Sequence, residues 1–176
     1  MGVKGAFNHT MMAACAILLA LGTAGCGGGV STAGGGSGTT ALQKAVLTLS
    51  TSGTMTAGTE IGGLGVTVDL PDTVTVKTNN GNVDSSVVTA TGAASGQATV
   101  LALYSGPTLT APAKLYLVLS SASSGVAVGE FATITCAVKS GADPVGSDFS
   151  LKDFSAVDTS GASISSLTAA FHETIQ

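Results

Sequence analysis

Apolar and polar residues alternate with a period of two in several stretches of the chain. Residues 66–70 have aliphatic side chains at the first, third and fifth positions, with Thr67 and Asp69 between them. Leucines occupy the alternate positions of residues 115–119, and the even positions of residues 131–136 carry Ala, Ile and Cys, while the odd ones carry Phe, Thr and Thr. A period of two places neighbouring side chains on opposite faces of an extended strand. These stretches therefore predict β-strands that each have one apolar and one polar face.

Turn residues separate these stretches from other short runs rich in Val, Thr and Ala. Pro71 has no N–H for a strand ladder, residues 79–81 (Asn-Asn-Gly) tolerate positive φ in a tight turn, and residues 158–161 predict another loop. The predicted strands are 45–49, 61–70, 74–78, 83–89, 98–103, 114–120, 130–138, 154–157, 164–168 and 171–175. About nine or ten short strands at this spacing predict an all-β fold, an antiparallel β-sandwich with jelly-roll or Greek-key connections.

The first 40 residues have a different composition. Residues 11–21 form an apolar run, residues 23–26 read Thr-Ala-Gly-Cys, and glycine and serine dominate residues 27–40. An apolar run of this length is too short for a membrane span, which needs roughly 20 residues, but it fits the apolar region of a secretory signal. The apolar run, the small residues and Cys26 together resemble a bacterial lipoprotein precursor.

This resemblance implies a signal peptide at residues 1–25, a lipidated Cys26 with a Gly/Ser-rich tether at residues 26–40, and one domain at residues 41–176. Lipid on Cys26 would anchor the protein to a membrane, because each buried acyl CH₂ contributes about 0.8 kcal/mol. Gly27 stands where the family's inner-membrane retention signal places Asp, which favours the outer membrane or the surface of the bacterial cell envelope. The alternative is ordinary cleavage near Ala24, which would leave Cys26 as a free thiol.

Charge excludes one class of partner. Charged residues make up 9% of the chain, against about 25% in an average soluble protein, and arginine is absent. Residues 41–176 carry five lysines and ten carboxylates, which gives a net charge near −5. Nucleic acid is not expected as a partner, because phosphate binding requires clustered Lys and Arg.

Candidate catalytic residues are few. His172 is the one histidine beyond the signal segment, and no Gly-x-Ser-x-Gly motif occurs, so neither an enzyme nor a cofactor is predicted. Cys136 has no partner for a disulfide and is interpreted as a buried, small apolar side chain rather than a reactive thiol. No metal site is predicted either, because a step of five residues changes the face of a strand each time. The carboxylates with that spacing are Asp143, Asp148, Asp153 and Asp158.

Aromatic residues offer one alternative function. Tyr104 lies at the end of a predicted strand, and Tyr116 alternates away from Leu115, so the two tyrosines are candidates for a small platform on which a sugar ring stacks. The competing interpretation is that these rings fill or cap the core.

Three segments resemble a cohesin-type domain, within the superfamily that also includes cellulose-binding modules. They are residues 61–76, 114–138 and 149–164, of which the second contains Gly-Glu-Phe-Ala-Thr-Ile-Thr-Cys-Ala-Val at 129–138, similar to a strand pattern of that family. The resemblance implies a β-sandwich and a non-catalytic function in which a membrane-anchored module binds another protein, as cohesins bind dockerins. The alternative that it implies is a polysaccharide-binding module using Tyr104 and Tyr116.

Overall fold

Two antiparallel β-sheets form the fold in the computed structural model, which describes residues 43–121 and 124–176. The strands within that range are β1 (Lys44–Gly53), β2 (Ile61–Leu70), β3 (Val74–Thr75), β4 (Thr78–Asn79), β5 (Asn82–Val83), β6 (Val88–Ala90), β7 (Ala98–Ser105), β8 (Ala113–Ser121), β9 (Glu130–Val138), β10 (Ser150–Asp158) and β11 (Leu167–Ile175). Two short 3-10 helices, Gly92–Ala94 and Gly146–Asp148, interrupt the connections. No helix in the described range is long and apolar enough to cross a bilayer.

The sheets divide the strands unequally. The five-stranded sheet has the order β11-β1-β9-β3, with β6 also pairing with β9, and the four-stranded sheet has the order β10-β2-β8-β7. The strands β4 and β5 pair only with each other among the described strands. Every strand pairing is antiparallel. The predicted all-β, antiparallel sandwich is confirmed.

The core lies between the sheets and consists of the alternate aliphatic residues that the sequence pattern predicts. Leu47 and Leu49 of β1 belong to this core together with Leu115, Leu117 and Leu119 of β8, and all five are at most 1% exposed. Full burial of a leucine contributes about 1.5–3 kcal/mol relative to leaving it in water. The alternation predicted for residues 115–119 is confirmed.

The alternation predicted for residues 131–136 is wrong at its first position. Ala132, Ile134 and Cys136 are buried as expected, but Phe131 is also only 2% exposed. The cause is a β-bulge, since Leu49 pairs with Ala132 and the next residue of β1 pairs with Glu130. A bulge adds one residue to one strand and turns its side chain away from the regular alternation. Phe131 therefore reaches the core.

The number and length of the strands differ from the prediction in two regions of the chain, residues 74–89 and 164–175. The end of the predicted strand 164–168 and the whole of the predicted strand 171–175 belong to one strand, β11, because the two alanines between them are not turn residues, while residues 164–166 lie outside β11. The predicted run 74–78 is instead divided between β3 and β4, and the run 83–89 between β5 and β6. The turn predicted at residues 79–81 joins β4 to β5, with φ of 51° at Asn80 and 81° at Gly81. Two successive positive φ angles are typical of a type I′ hairpin.

Candidate binding surface

The outer face of the four-stranded sheet carries an exposed apolar cluster at its β7–β8 side. Leu101 and Leu103 of β7 are 66% and 69% exposed, and Tyr116 and Val118 of β8 are 41% and 52% exposed. Leu101 pairs with Val118 and Leu103 pairs with Tyr116, so the four side chains are direct cross-strand neighbours. We call these four residues the apolar quartet. Adjacent apolar side chains in solvent are typical of interaction sites, whereas single ones are ordinary.

The other exposed large hydrophobic residues do not extend this cluster. Among the described residues they are Leu109, in the connection between β7 and β8, and Val145, which precedes the second 3-10 helix. The outer face of the five-stranded sheet is mostly polar along β1, where Thr48 lies between Thr133 and His172 of its neighbours. The apolar quartet is therefore a property of one sheet face only.

Glycines make the surface next to the quartet shallow. Gly65 of β2 pairs with Val118 on one side and Ser155 on the other, and Gly63 pairs with Ser120 and Val157. A Cβ at Gly65 would lie 3.4 Å from the Ser155 Oγ, so a larger side chain would fill the space between the flanking strands. The result is an open groove of about 440 Å³ beside the quartet.

A second groove runs along the outer edge of β7. It has a volume of about 530 Å³ and lies between residues 82–85 on one side and residues 100–103 on the other, with Tyr116 and Val118 at its margin. The β4–β5 hairpin and the turn that follows it form the far wall. We call this space the β7 groove and residues 82–85 its wall.

Local hydrogen bonds hold the wall in place. Asp84 Oδ1 accepts hydrogen bonds from the Ser86 backbone N–H at 2.9 Å and from the Ser86 hydroxyl at 2.6 Å, and Asp84 Oδ2 lies 3.0 Å from Lys77 Nζ. These hydrogen bonds and the lysine lower the pKa of Asp84 to about 2. Because its carboxylate is already paired, Asp84 fixes the turn without leaving an isolated charge in the groove.

The opposite edge of the same sheet, at β10, is ionic rather than apolar. Lys152 Nζ of β10 lies 2.7 Å from Asp69 Oδ2 of β2, and the Ser150 hydroxyl donates to the same oxygen at 3.3 Å. The hydrogen bond to Asp69 holds the pKa of Lys152 above its ordinary value. Asp69 Oδ1 is buried and has no hydrogen-bond partner among the described residues. The ion pair therefore caps this edge of the sheet.

The two tyrosines proposed from the sequence are not brought together. Tyr116 points outward in the apolar quartet, but Tyr104 pairs with Leu115 and packs partly against the core, so the two rings lie on opposite faces of the sheet. Burial raises the pKa of the Tyr104 phenol. The structure therefore does not bring the two rings onto one face, because Tyr104 pairs with Leu115 while Tyr116 pairs with Leu103.

The remaining candidates are placed as follows. Cys136 is a free cysteine buried in the core, and burial raises the pKa of its thiol to about 12. His172 lies on the exposed side of β11 opposite Thr48. Cys26, the predicted lipidation site, lies outside the described residues.

Two of the four aspartates at five-residue spacing, Asp148 and Asp158, accept hydrogen bonds in separate turns. Asp148 Oδ2 accepts the Val145 N–H at 3.0 Å, while Asp158 Oδ1 accepts from Ser160 and from the Ala162 N–H, which lowers the pKa of Asp158. The described residues contain no group of three or more His, Cys, Asp or Glu side chains placed to hold a metal ion.

Sequence reasoning missed three members of the quartet. In β7 both sets of alternate positions are apolar, with Val100, Ala102 and Tyr104 on one face and Leu101 and Leu103 on the other. The alternation therefore could not tell which face is buried. The available signal was that both the odd and the even positions of β7 are apolar. A strand with two apolar faces is either covered on both faces or leaves one apolar face exposed.

Comparison with known proteins identifies no family. No family model, no curated protein and no solved structure matches the chain.

Proposed function

We propose that this protein is a non-catalytic, membrane-anchored binding module of the bacterial cell envelope, and that it binds another protein through the apolar quartet. The observation that supports the proposal is the exposure of Leu101, Leu103, Tyr116 and Val118 as cross-strand neighbours. Covering this cluster is energetically favourable, because each Å² of apolar surface removed from water contributes about 25 cal/mol to the free energy of binding.

The chemistry around the quartet supports a protein partner. The adjoining groove over Gly63 and Gly65 is shallow, and no charged residue lies among the quartet or the β7 strand. Interface centres are depleted in charge and enriched in aromatic residues, with polar residues at the rim. Lys114 and Asp69, at the end of the same face, supply such a polar rim.

The anchor is a separate part of the proposal and has its own test. It rests on the resemblance of the N-terminal segment to a lipoprotein precursor, with lipid on Cys26. The Cys26→Ser variant is expected to leave the membrane fraction with its signal still removed. Retention of that processed variant in membranes would contradict the lipid anchor without bearing on the apolar quartet.

Site-specific photo-crosslinking in the native envelope tests the binding function. A photoreactive amino acid at Ser120, which is exposed beside the quartet, is expected to give a discrete protein adduct. The matched control carries the same group at Ala170, which is exposed on the outer face of the other sheet. The adduct at Ser120 should disappear when Leu103→Ser is added.

Equal labelling at Ser120 and Ala170, or no labelling at either, would contradict binding through the quartet. A glycan array run in parallel covers the polysaccharide alternative, for which Tyr116 is the outward-facing ring. Glycan binding that is lost in Tyr116→Ala, without a protein adduct at Ser120, would assign the surface to a polysaccharide.

A further inference from the structure

The outer face of the four-stranded sheet is bulky on one half and shallow on the other. Four consecutive cross-strand partners form one row of this face: Leu101 of β7, Val118 of β8, Gly65 of β2 and Ser155 of β10. Leu101 and Val118 are 66% and 52% exposed, whereas Gly65 has no side chain and borders the open groove of about 440 Å³. We call this space over Gly63 and Gly65 the glycine groove. The apolar quartet and the glycine groove are therefore neighbours on one surface.

The rows on either side show the same division. In one of them Leu103 and Tyr116 are followed by Thr67, which is only 4% exposed, and in the other Ser120 pairs with Gly63. At its outward positions in these rows, β2 thus carries glycine or a buried threonine. The surface that projects from β7 and β8 falls away at β2.

A two-fold axis on this face, parallel to the strands and midway between β2 and β8, brings the bulky half of one copy over the shallow half of another. Rotation about this axis exchanges the two halves but keeps every row at its height, so Val118 lies over the second copy's Gly65. The same rotation produces the reciprocal contact, which is the condition for a closed two-fold dimer. An axis perpendicular to the strands would place quartet against quartet and leave both glycine grooves empty.

We propose that the apolar quartet binds a second copy of this chain, with the two four-stranded sheets packed face to face and each quartet over the other copy's glycine groove. This inference rests on the proposed protein-binding function and specifies its partner. Two β-sheets ordinarily pack in this way, with aligned strands and about 10 Å between the sheets. The missing side chains at Gly63 and Gly65 leave room for the side chains of β8.

Charges at the end of the face are complementary under the same rotation. Lys114 of β8 pairs with Asp69 of β2 in the last row, but it forms no ion pair with any described residue. The rotation brings Lys114 over the second copy's Asp69, whose Oδ1 accepts no hydrogen bond within the described chain. Each copy therefore supplies a cation opposite a carboxylate at both ends of this row.

Lys152 is the charged residue that the rotation brings over the quartet, opposite Leu103. Its Nζ already lies 2.7 Å from Asp69 Oδ2, so its aliphatic stem is the part that meets the leucine. A second copy thus covers the quartet without removing an unpaired charge from water, which would oppose binding.

The size of the face predicts a weak dimer. Four strands at about 4.8 Å and seven residues of β7 at about 3.4 Å give roughly 450 Å² on each copy, or about 900 Å² in total. Stable interfaces bury about 1,200–2,000 Å². Because the rotation keeps heights, the first described residues of both copies lie at the same end of the dimer. Lipid anchors in one membrane would then raise the effective concentration of the two copies.

Photo-crosslinking of the full chain in the native envelope tests the inference. A photoreactive amino acid at Ser120, which lies over the second copy's Gly63, should give an adduct with the mass of two chains. When copies with two different tags are produced together, the adduct should contain both tags. Mass spectrometry should place the crosslink in residues 61–65 or 155–157 of the second copy. The same group at Ala170, on the outer face of the other sheet, should give no such adduct.

Two complementary variants test the contact between Val118 and Gly65. Gly65→Val sets valine against valine at both contacts and should lower the dimer adduct at least tenfold. Val118→Gly leaves both contacts empty and should lower it severalfold. When the two variants are produced together, every valine faces a glycine, and the mixed adduct should return to within about threefold of the parent.

The fold of each variant is checked separately. A Cβ at Gly65 would meet nothing closer than 3.4 Å, so Gly65→Val should keep the urea midpoint of the parent. Ala170→Val is the matched control, since it adds a valine side chain to an exposed strand position of the other sheet, and it should keep the parent's adduct yield.

The alternative outcomes separate this inference from the proposed function. A Ser120 adduct with a different protein, and none with a second copy, would keep the quartet as a protein-binding surface and overturn self-association. A dimer adduct whose yield is unchanged in Gly65→Val would overturn the two-fold arrangement. The absence of any adduct at Ser120 would overturn both the inference and the proposed function.

Discussion

The two edges of the four-stranded sheet have opposite chemistry. At β10, Lys152 pairs with the buried carboxylate of Asp69, and a bulge at Asp153 bends the strand. At β7, eight residues pair in unbroken register with β8 and carry no charge. Both are edge strands of one sheet, but β5 and β6 lie close to β7. The exposed apolar face of β7 and β8 is the side on which the proposed partner is expected.

The largest effect is expected when β7 is given the chemistry of β10. Leu103→Lys places a charge in the centre of the apolar quartet, which should reduce the yield of the Ser120 photo-adduct at least tenfold. The side chain is 69% exposed, so the free energy of unfolding should change by no more than about 0.5 kcal/mol. Photo-crosslinking from Ser120 and urea unfolding measure the two quantities.

Ala170→Lys is the matched control for this variant. It adds the same charge to an exposed strand position of the other sheet and should leave both binding and stability unchanged. Similar loss of binding in both variants would mean that net charge, rather than the position of the lysine, controls the interaction.

The wall of the β7 groove is tested by a substitution in its hairpin. Gly81 has a φ of 81°, and Ala in this left-handed region costs about 1–2 kcal/mol. Gly81→Ala should therefore distort the turn next to residues 82–85, which line the same groove as Tyr116 and Val118, and lower the yield of the Ser120 adduct severalfold. Urea unfolding and photo-crosslinking would be carried out on the same variant.

Gly58→Ala is its control, because Gly58 has a φ of 82° and, like Gly81, no atom within 4 Å of an added Cβ. The two variants should lose similar stability, but only Gly81→Ala should lose adduct yield at Ser120. Equal yields in the two variants would show that the hairpin is not part of the binding site.

The sequence predicts the buried and exposed faces of β8 but not those of β7. Residues 115–119 have aliphatic side chains on one face and Tyr116 on the other, and the pattern assigned the buried leucines correctly. β7 is apolar in both registers of the alternation, so its exposed face could not be chosen until its position at the sheet edge was known. Phe131 was misassigned because a bulge depends on the pairing with β1, which is a tertiary feature.

The next prediction concerns the ion pair at the β10 edge. Lys152→Met removes the partner of a carboxylate that is only 8% exposed, so the thermal midpoint at pH 7 should fall by a few degrees. The pKa of Lys152 is raised in the folded state, so its contribution is complete below the ordinary lysine value of 10.5 and is lost as the pH rises through the higher folded value. The difference between variant and parent should therefore shrink above pH 10.5.

Lys139→Met is the control for that variant, since Lys139 is exposed and forms no ion pair with another described residue. Its midpoint should match that of the parent at every pH. A similar fall in both variants would show that loss of a positive charge, and not the contact with Asp69, causes the effect.

The smallest effect is expected at Asp84, whose contacts with Ser86 and Lys77 hold the wall next to β7. Hydrogen bonds from Ser86 and the contact with Lys77 lower its pKa from 3.8 to about 2, so the stabilising contribution is present above pH 3.8 and is lost as the pH falls through 2. Asp84→Asn should lower the thermal midpoint slightly at pH 5, and the difference from the parent should disappear as the pH approaches 2. Asp72→Asn, at an exposed carboxylate with no side-chain hydrogen bond to a described residue, should show no such convergence. If Asp84→Asn also lowers the yield of the Ser120 adduct while Lys152→Met does not, then the rigid turn beside β7, and not the stability of the sheet as a whole, supports the quartet as a binding surface.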